Sequence, residues 1–201
     1  VAALPGERIL DAAAAPGGKT AHLAALTDER IRVTATDSDP RRLEETRTNL
    51  TRLGVGCAEL LLGDAADSGF ISRLGTFDRI LLDAPCSNLG VLRHNPEAKY
   101  RLKPGDPEVL ARKQTAMLEA TAGAVRRGGA LVYSVCTTTR EETYGVVSGF
   151  LARHGEFSVD PIDPGEVPAG EILDSDGFLA TFPPAGAEPL DGFFAARMKR
   201  E

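Results

Sequence analysis

Three cysteines, Cys57, Cys86 and Cys136, are the only thiols in this chain of 201 residues, and two of them stand where a nucleophile could work. Cys86 lies in Asp83-Ala84-Pro85-Cys86-Ser87, just after the apolar run Arg79–Leu82. Cys136 lies in Val135-Cys136-Thr137, just after the run Ala130–Ser134. Short continuous apolar runs of this kind read as strands of a parallel sheet buried on both faces. A single cysteine behind a strand is ordinarily a small inert hydrophobe. Two behind neighbouring strands, about 4.8 Å apart, would open into the same mouth. Such a pair has a chemical use, because one thiolate can add to an electron-poor carbon while the other helps it leave. Cys57 precedes a strand-like segment and reads as structural.

One reaction that needs this pair is alkylation of a pyrimidine. Carbon 5 of cytosine is too weak a nucleophile to attack a methyl donor directly. Thiolate addition at carbon 6 turns the ring into an enamine whose carbon 5 can attack. An acid at the ring N3/N4 edge would hold the developing charge, a part open to Asp83. Afterwards a base must take the carbon 5 proton and the thiol must depart. Residue types and spacing leave open which of Cys86 and Cys136 is the attacker, and Pro85-Cys86 alone would suggest Cys86.

A second group of residues has the look of a cofactor edge. The first turn reads Asp11-Ala12-Ala13-Ala14-Ala15-Pro16-Gly17-Gly18-Lys19-Thr20. Its small residues let backbone approach a ligand closely, and its glycines permit the turn. Asp37 ends a second strand-like segment about twenty residues beyond Gly17, where doubly wound sheets place an acid for ribose hydroxyls. Asp64 and Asp83 follow two further strands. An aspartate after a strand is commonly a cap or turn residue, but four such ends beside a Gly-rich turn favour a nucleotide-like cofactor. Gly18-Lys19-Thr20 also raises a phosphate-binding loop, G-x-x-x-x-G-K-[ST]. The first glycine of that pattern would fall on Ala13, which disfavours an NTPase. Lys19 then reads as a solvated helix-start lysine or as a positive charge beside the acids or the target base.

Strands to support these residues are expected at Arg8–Ala12, Arg32–Thr36, Ala58–Leu62, Arg79–Leu82 and Ala130–Ser134. Asp39-Pro40 and Asp106-Pro107 each open a helix, with Asp as cap and Pro in the first turn. Leu43, Leu50 and Leu53 fall at helical spacing before a stop at Gly54. The second helix is expected to bury Leu110, Met117, Leu118 and Val125, to carry Arg126 and Arg127 in its last turn, and to stop at Gly128. Thr139-x-x-Glu142 reads as a capping box for a further helix. From Asp160 to Pro189 the chain is rich in Pro and Gly, with Phe178–Phe182 and Gly192–Met198 as an antiparallel pair. This order implies one α/β domain with a doubly wound, mostly parallel sheet. The terminal pair resembles the class I S-adenosylmethionine-dependent methyltransferases, a Rossmann-like fold.

Composition narrows the class. Hydrophobic residues make up 42% and charged residues 26%, ordinary for a globular protein. No apolar run is long enough to cross a bilayer, and no signal-peptide layout opens the chain. Few, odd-numbered cysteines fit a reducing cytoplasm. Without a CxxC pair, and with His22, His94 and His154 scattered, no metal site is expected. The net charge of −6 counts against tight nucleic-acid binding by this stretch alone. Arg93, Lys99, Arg101 and Lys103 are the candidate phosphate contacts.

Four segments together carry a resemblance: Asp11–Thr20, Asp83–Ser87, Tyr133–Thr137 followed by Glu141-Glu142, and Asp191-Gly192-Phe193-Phe194-Ala195. They resemble the Sun/RsmB family of RNA 5-methylcytosine methyltransferases. Asn88–Glu97 is similar to the bacterial group that acts on 16S ribosomal RNA. The resemblance covers essentially the whole chain, residues 1–201. It implies that Ala13, Ala14, Ala15, Pro16, Gly17, Gly18, Lys19, Asp37, Arg42, Asp64 and Asp83 surround S-adenosylmethionine. It implies Cys136 as nucleophile, Cys86 as the thiol assisting release, and Asp83 and Lys19 beside the reacting base. Small-subunit ribosomal RNA is the implied partner. Ala13 stands where the family usually has Cys, and Thr137 where it has Ser. Family members carry RNA-binding segments, including a NusB-like domain, before this core. The chain begins at Val1, so it is expected to be a fragment that lacks them. A second reading, a catalytically silent cofactor-binding scaffold in ribosome assembly, stays open at this point.

Overall fold

A computed structural model describes residues 1–167, 172–182 and 190–201. The chain divides into two compact units: Val1–Asp83 with Met117–Val132 and Arg200–Glu201, and Ala84–Ala116 with Tyr133–Lys199.

The first unit is built on alternating strands and helices: β1 (Arg8–Asp11), α1 (Gly18–Leu26), β2 (Arg32–Asp37), α2 (Pro40–Arg52), β3 (Ala58–Leu62), α3 (Ser68–Arg73) and β4 (Phe77–Asp83). It also holds the end of α5 (Asp106–Ala122) and most of β5 (Val125–Val135). The strand order is β3-β2-β1-β4-β5. Parallel ladders set Ile9 beside both Val33 and Arg79, and Ala35 beside Leu60. Ile9, Val33, Ala35, Leu81 and Val132 form the centre of an apolar cluster closed by Ala14, Leu23 and Ile31. Apolar side chains at successive positions of β1 and β4 explain the parallel arrangement, because such strands are covered on both faces.

The helix starts follow from local chemistry. Asp39 Oδ1 accepts from Arg41 N at 2.8 Å, with Pro40 in the first turn of α2. Leu43 and Leu50 are buried as their spacing implies, but Leu53 caps the helix and is exposed. Helix α3, which the sequence reading passed over, is capped by Asp67 onto the amides of Gly69 and Phe70.

One boundary differs from expectation. Helix α5 ends at Ala122, and β5 starts at Val125 rather than at Ala130. Val125 is buried in the strand, Phe77 N donates to Ala124 O at 2.8 Å, and Arg126 pairs with Asp78. Arg126 and Arg127 are therefore strand residues. Gly128, at φ 74°, turns within β5 and does not stop a helix. Beside it, a Cβ on Gly129 would lie 2.7 Å from Asp78 O, which explains why a glycine stands there.

The second unit contains a 3₁₀ turn (Leu89–Val91), α4 (Ala98–Arg101), the start of α5 and the end of β5. It continues with α6 (Tyr144–Arg153), β6 (Phe157–Val159), β7 (Leu179–Ala180) and β8 (Phe194–Arg200). Strand β8 lies between β5 and β6, and β7 pairs antiparallel with β8, Leu179 beside Ala195 and Ala180 beside Phe194. The anticipated terminal pair is thus present, shorter on its first strand; β6 was not foreseen. The rings of Tyr144 and Phe194 meet at 4.9 Å beneath it. Arg197 on β8 reaches both oxygens of Glu166 at 2.6 and 3.0 Å, and this holds the Glu166 carboxyl down at about 2. Parts of the Pro- and Gly-rich stretch, 168–171 and 183–189, lie outside the described residues. The fold is α/β, mostly parallel, with an antiparallel C-terminal strand pair. Among the described residues no helix is long and apolar enough to cross a membrane.

Candidate active site

In the first unit, the turn after β1 is held by its neighbours. Ala12 N donates to Leu81 O and Ala14 N to Thr36 O, both at 2.9 Å. Side chains of α2 take the turn's carbonyls: Arg42 Nη2 reaches Ala15 O at 3.1 Å and Asn49 Nδ2 reaches Pro16 O at 3.0 Å. The Ala15–Pro16 peptide is cis. Gly17 has φ 97°, and a Cβ there would sit 3.0 Å from Thr46 Cγ2. Both facts restrict the position to glycine and keep the backbone bare on this side.

The acids of this edge have distinct surroundings. Asp37, only 5% exposed, ends β2; its Oδ1 accepts from Asp39 N at 3.0 Å and Arg42 Nη2 lies 3.8 Å from Oδ2. Asp64 is exposed, and its Oδ1 accepts from Ala66 N at 2.9 Å. Lys19 Nζ lies 2.5 Å from Asp83 Oδ2, so the lysine stands beside an acid. Asp11 is different: it is fully buried, and Thr20 Oγ1 donates to its Oδ2 at 2.7 Å. Burial pushes the Asp11 carboxyl up to about 6, opposed by the Thr20 hydroxyl and reinforced by the charge of Asp83. It serves the start of α1. A carboxylate acceptor at Asp37 and a bare glycine turn are what an adenosyl ribose and its tail need. The residues present fit S-adenosylmethionine.

The second unit holds the thiols. Cys86 Sγ and Cys136 Sγ are 3.2 Å apart. Asn88 Oδ1 accepts from Cys136 at 2.9 Å and stands 3.5 Å from Cys86. The Cys86 thiol is held well above its ordinary range by its hydrogen bond with Cys136, then by burial. Cys57 is elsewhere, in the first unit, and burial raises its thiol too.

Beneath the thiols runs a buried polar network. Glu142 Oε1 accepts from Ser87 N and from Gln114 Nε2, each at 2.9 Å, and Oε2 accepts from Thr139 Oγ1 at 2.9 Å. Tyr133 OH donates to Glu142 O at 2.6 Å, and Ser87 and Thr137 share a hydroxyl bond of 2.8 Å. Helix α6 starts only at Tyr144 with Thr143 as its cap, so Thr139 and Glu142 do not form a capping box. A buried carboxylate must collect donors, and here those donors come from both thiol-bearing loops and from α5. Sequence reasoning missed Gln114, Asn88 and this role of Glu142. The signal for Gln114 was present: it falls on the stripe of Leu110, Met117 and Leu118, where a polar side chain must be buried with a partner. Of the candidate phosphate contacts, Arg93 is tied to Asp191 at 2.9 Å. Arg101 lines a cleft of about 390 Å³ with Cys86, Asn88, Asn95 and Glu97. Among the described residues no cluster of metal-binding side chains occurs.

Residues 1–199 match the model of the 16S rRNA methyltransferase RsmB/F family. The chain belongs to this family. It is 39% identical to the ribosomal RNA small subunit methyltransferase B of Vibrio cholerae, over 98% of its own length and 42% of the relative's. With the enzyme of the same name from Thermus thermophilus it shares 39% identity, over 98% of the chain and 46% of the relative. It thus spans less than half the length of these RsmB relatives. The crystal structure of NSun6 from Pyrococcus horikoshii with SFG superposes with a TM-score of 0.82 at 32% identity, covering 98% of this chain and 49% of that one.

Proposed function

We propose that this chain is a catalytic domain that transfers a methyl group from S-adenosylmethionine to carbon 5 of a cytosine in RNA, through a covalent adduct between Cys136 and carbon 6. The substrate class is small-subunit ribosomal RNA, as the names of the relatives suggest, and the compartment is the cytoplasm. The observation that carries the reading is the approach of the Cys86 and Cys136 sulfurs to 3.2 Å. An inert core cysteine has no need of a second thiol and an amide oxygen on its sulfur.

Asp37, Asp64, Arg42 and the turn Ala13–Gly18 hold the cofactor, with the Asp37 carboxylate on the ribose hydroxyls. Bound there, S-adenosylmethionine supplies an electrophilic methyl group and keeps the bonding electron pair on its sulfur. Cys136 gives its proton to water and its sulfur pair forms the bond to carbon 6, which raises the electron density on carbon 5. Asp83, fixed by Lys19, hydrogen-bonds the N3/N4 edge of the ring. Once carbon 5 carries the methyl group, its proton passes to a base from the solvent, the pair of that C–H bond restores the carbon 5–carbon 6 double bond, and the carbon–sulfur bond breaks with its pair returning to Cys136. Cys86 stays protonated in the resting state and hydrogen-bonds the departing sulfur, which eases its release. Lys99, Arg101 and Lys103 meet the RNA phosphates.

The test uses the full-length protein and its RNA on denaturing gels. Cys136→Ala is expected to abolish methylation and any covalent adduct. Cys86→Ala is expected to accumulate a slow protein–RNA band. The reverse pattern makes Cys86 the attacker, and unchanged methylation in both variants sinks the thiol mechanism.

A further inference from the structure

We propose that Asn88 is a catalytic residue of this site, the amide that hydrogen-bonds the Cys136 sulfur in both of its protonation states. The inference rests on Cys136 being the attacking thiol.

The amide is aimed at the sulfurs, since Asn88 Oδ1 lies 2.9 Å from Cys136 Sγ and 3.5 Å from Cys86 Sγ. Its backbone holds a left-handed conformation, φ 58° and ψ 21°, which asparagine adopts far more readily than most side chains. That conformation is anchored on both sides. Ser87 is fixed by the Glu142 carboxylate and the Thr137 hydroxyl. Two residues later Gly90 N donates to Cys136 O at 3.1 Å, while Val91 N closes the turn onto Asn88 O at 3.2 Å. The side chain therefore projects from a turn bonded directly to the nucleophile's own peptide.

The chemistry of the reaction asks for such a group. A resting thiol is a donor, and the Asn88 oxygen accepts from it as observed. When Cys136 ionises, the S–H bond breaks, the pair stays on sulfur and the proton goes to water. The sulfur is then an acceptor. Rotation of the amide by half a turn brings Nδ2–H to it, because one amide carries both a donor and an acceptor. The same bond forms again when the carbon–sulfur bond breaks and the thiolate leaves. Aspartate could accept but not donate, and glycine would keep the backbone without the amide. A hydrogen bond from an amide to a thiolate favours the ionised form by roughly 10- to 100-fold.

The experiment uses full-length protein, wild type and Asn88→Gly and Asn88→Asp. Iodoacetamide modification of Cys136 is followed by mass spectrometry of its peptide from about pH 6 to about pH 10, alongside methylation of ribosomal RNA. Asn88→Gly is expected to move the Cys136 profile about one to two pH units upward and to lower kcat roughly 10- to 100-fold, with KM for RNA unchanged. Asn88→Asp is expected to move the profile further. A superimposable profile in Asn88→Gly overturns the proposal, since a residue that only shapes the turn would leave thiol reactivity alone. Full kcat in Asn88→Gly while Cys136→Ala is inactive also overturns it. Full activity in both variants instead overturns the assignment of Cys136 as attacker.

Discussion

The hydroxyl of Thr20 donates to Oδ2 of Asp11 over 2.7 Å, and both side chains are fully buried. Burial raises the carboxyl from 3.8 to about 6, so the native state holds a proton that the unfolded chain gives up at lower pH. The stabilisation from this group is complete below about pH 4 and is lost as pH rises through about 6, a change of about 3 kcal/mol. Asn keeps an acceptor for Thr20 but does not titrate. The stability of wild type minus that of Asp11→Asn, from urea melts, is therefore expected to fall by about 2 kcal/mol between pH 4 and pH 6.5. A constant difference would mean that Asp11 keeps an ordinary pKa.

Glu142 gathers Ser87 N, Gln114 Nε2 and Thr139 Oγ1 at 2.9 Å each. Glu142→Ala strands buried donors and is expected to lower stability by roughly 2–5 kcal/mol. Glu142→Gln keeps the shared acceptor and can donate to Thr139, so it should lose clearly less. Urea denaturation midpoints check the order, and equal losses would assign the effect to charge.

Asp37→Ala removes the carboxylate that we propose binds the ribose. Affinity for S-adenosylhomocysteine is expected to drop by about 1.5–3 kcal/mol, or roughly 10- to 100-fold. Isothermal calorimetry reads this directly, and unchanged affinity removes Asp37 from the site.

RNA binding by residues 1–201 is expected to be weak and to fall steeply with salt, given the net charge of −6. Arg101→Ala and Lys103→Ala should each lower the slope of log K against log salt by about 1. Arg93→Ala should change it less, because Asp191 already holds that guanidinium. Fluorescence anisotropy with a ribosomal RNA fragment distinguishes these, and equal effects would place Arg93 on a phosphate as well.

Strands with continuous apolar runs were legible because burial on both faces leaves little choice of residue. Helix α2 was legible because Asp39 and Pro40 each act locally. The end of α5 was not: Gly128 has the positive φ of a helix stop, yet Arg126 just before it pairs with Asp78 across the sheet, a contact that no local pattern reveals. The same holds at the thiols. The cysteines and their spacing were readable, but Asn88 acquires its part through a turn geometry, and Glu142 through donors from Ser87 and Gln114. Thr139 and Glu142 matched a local pattern whose partners proved to be tertiary.

Gly192 N donates to Gly90 O at 2.8 Å, and Gly90 N in turn donates to Cys136 O. A Cβ on Gly90 would lie 1.9 Å from Gly192 O, and one on Gly192 would lie 2.6 Å from Thr138 Cγ2. Three stretches distant in the chain thus touch backbone to backbone, and the last of them leaves the ribosome long after both cysteines. Contacts of such separation close late, since loop entropy must be met before they form. A nascent chain can complete its parallel strands while the turn beside Cys136 still lacks its final support. The turn beside Cys136 is consequently completed only once Gly192 has emerged, and a polypeptide truncated before Gly192 would carry both cysteines without the peptide that donates to Gly90 O.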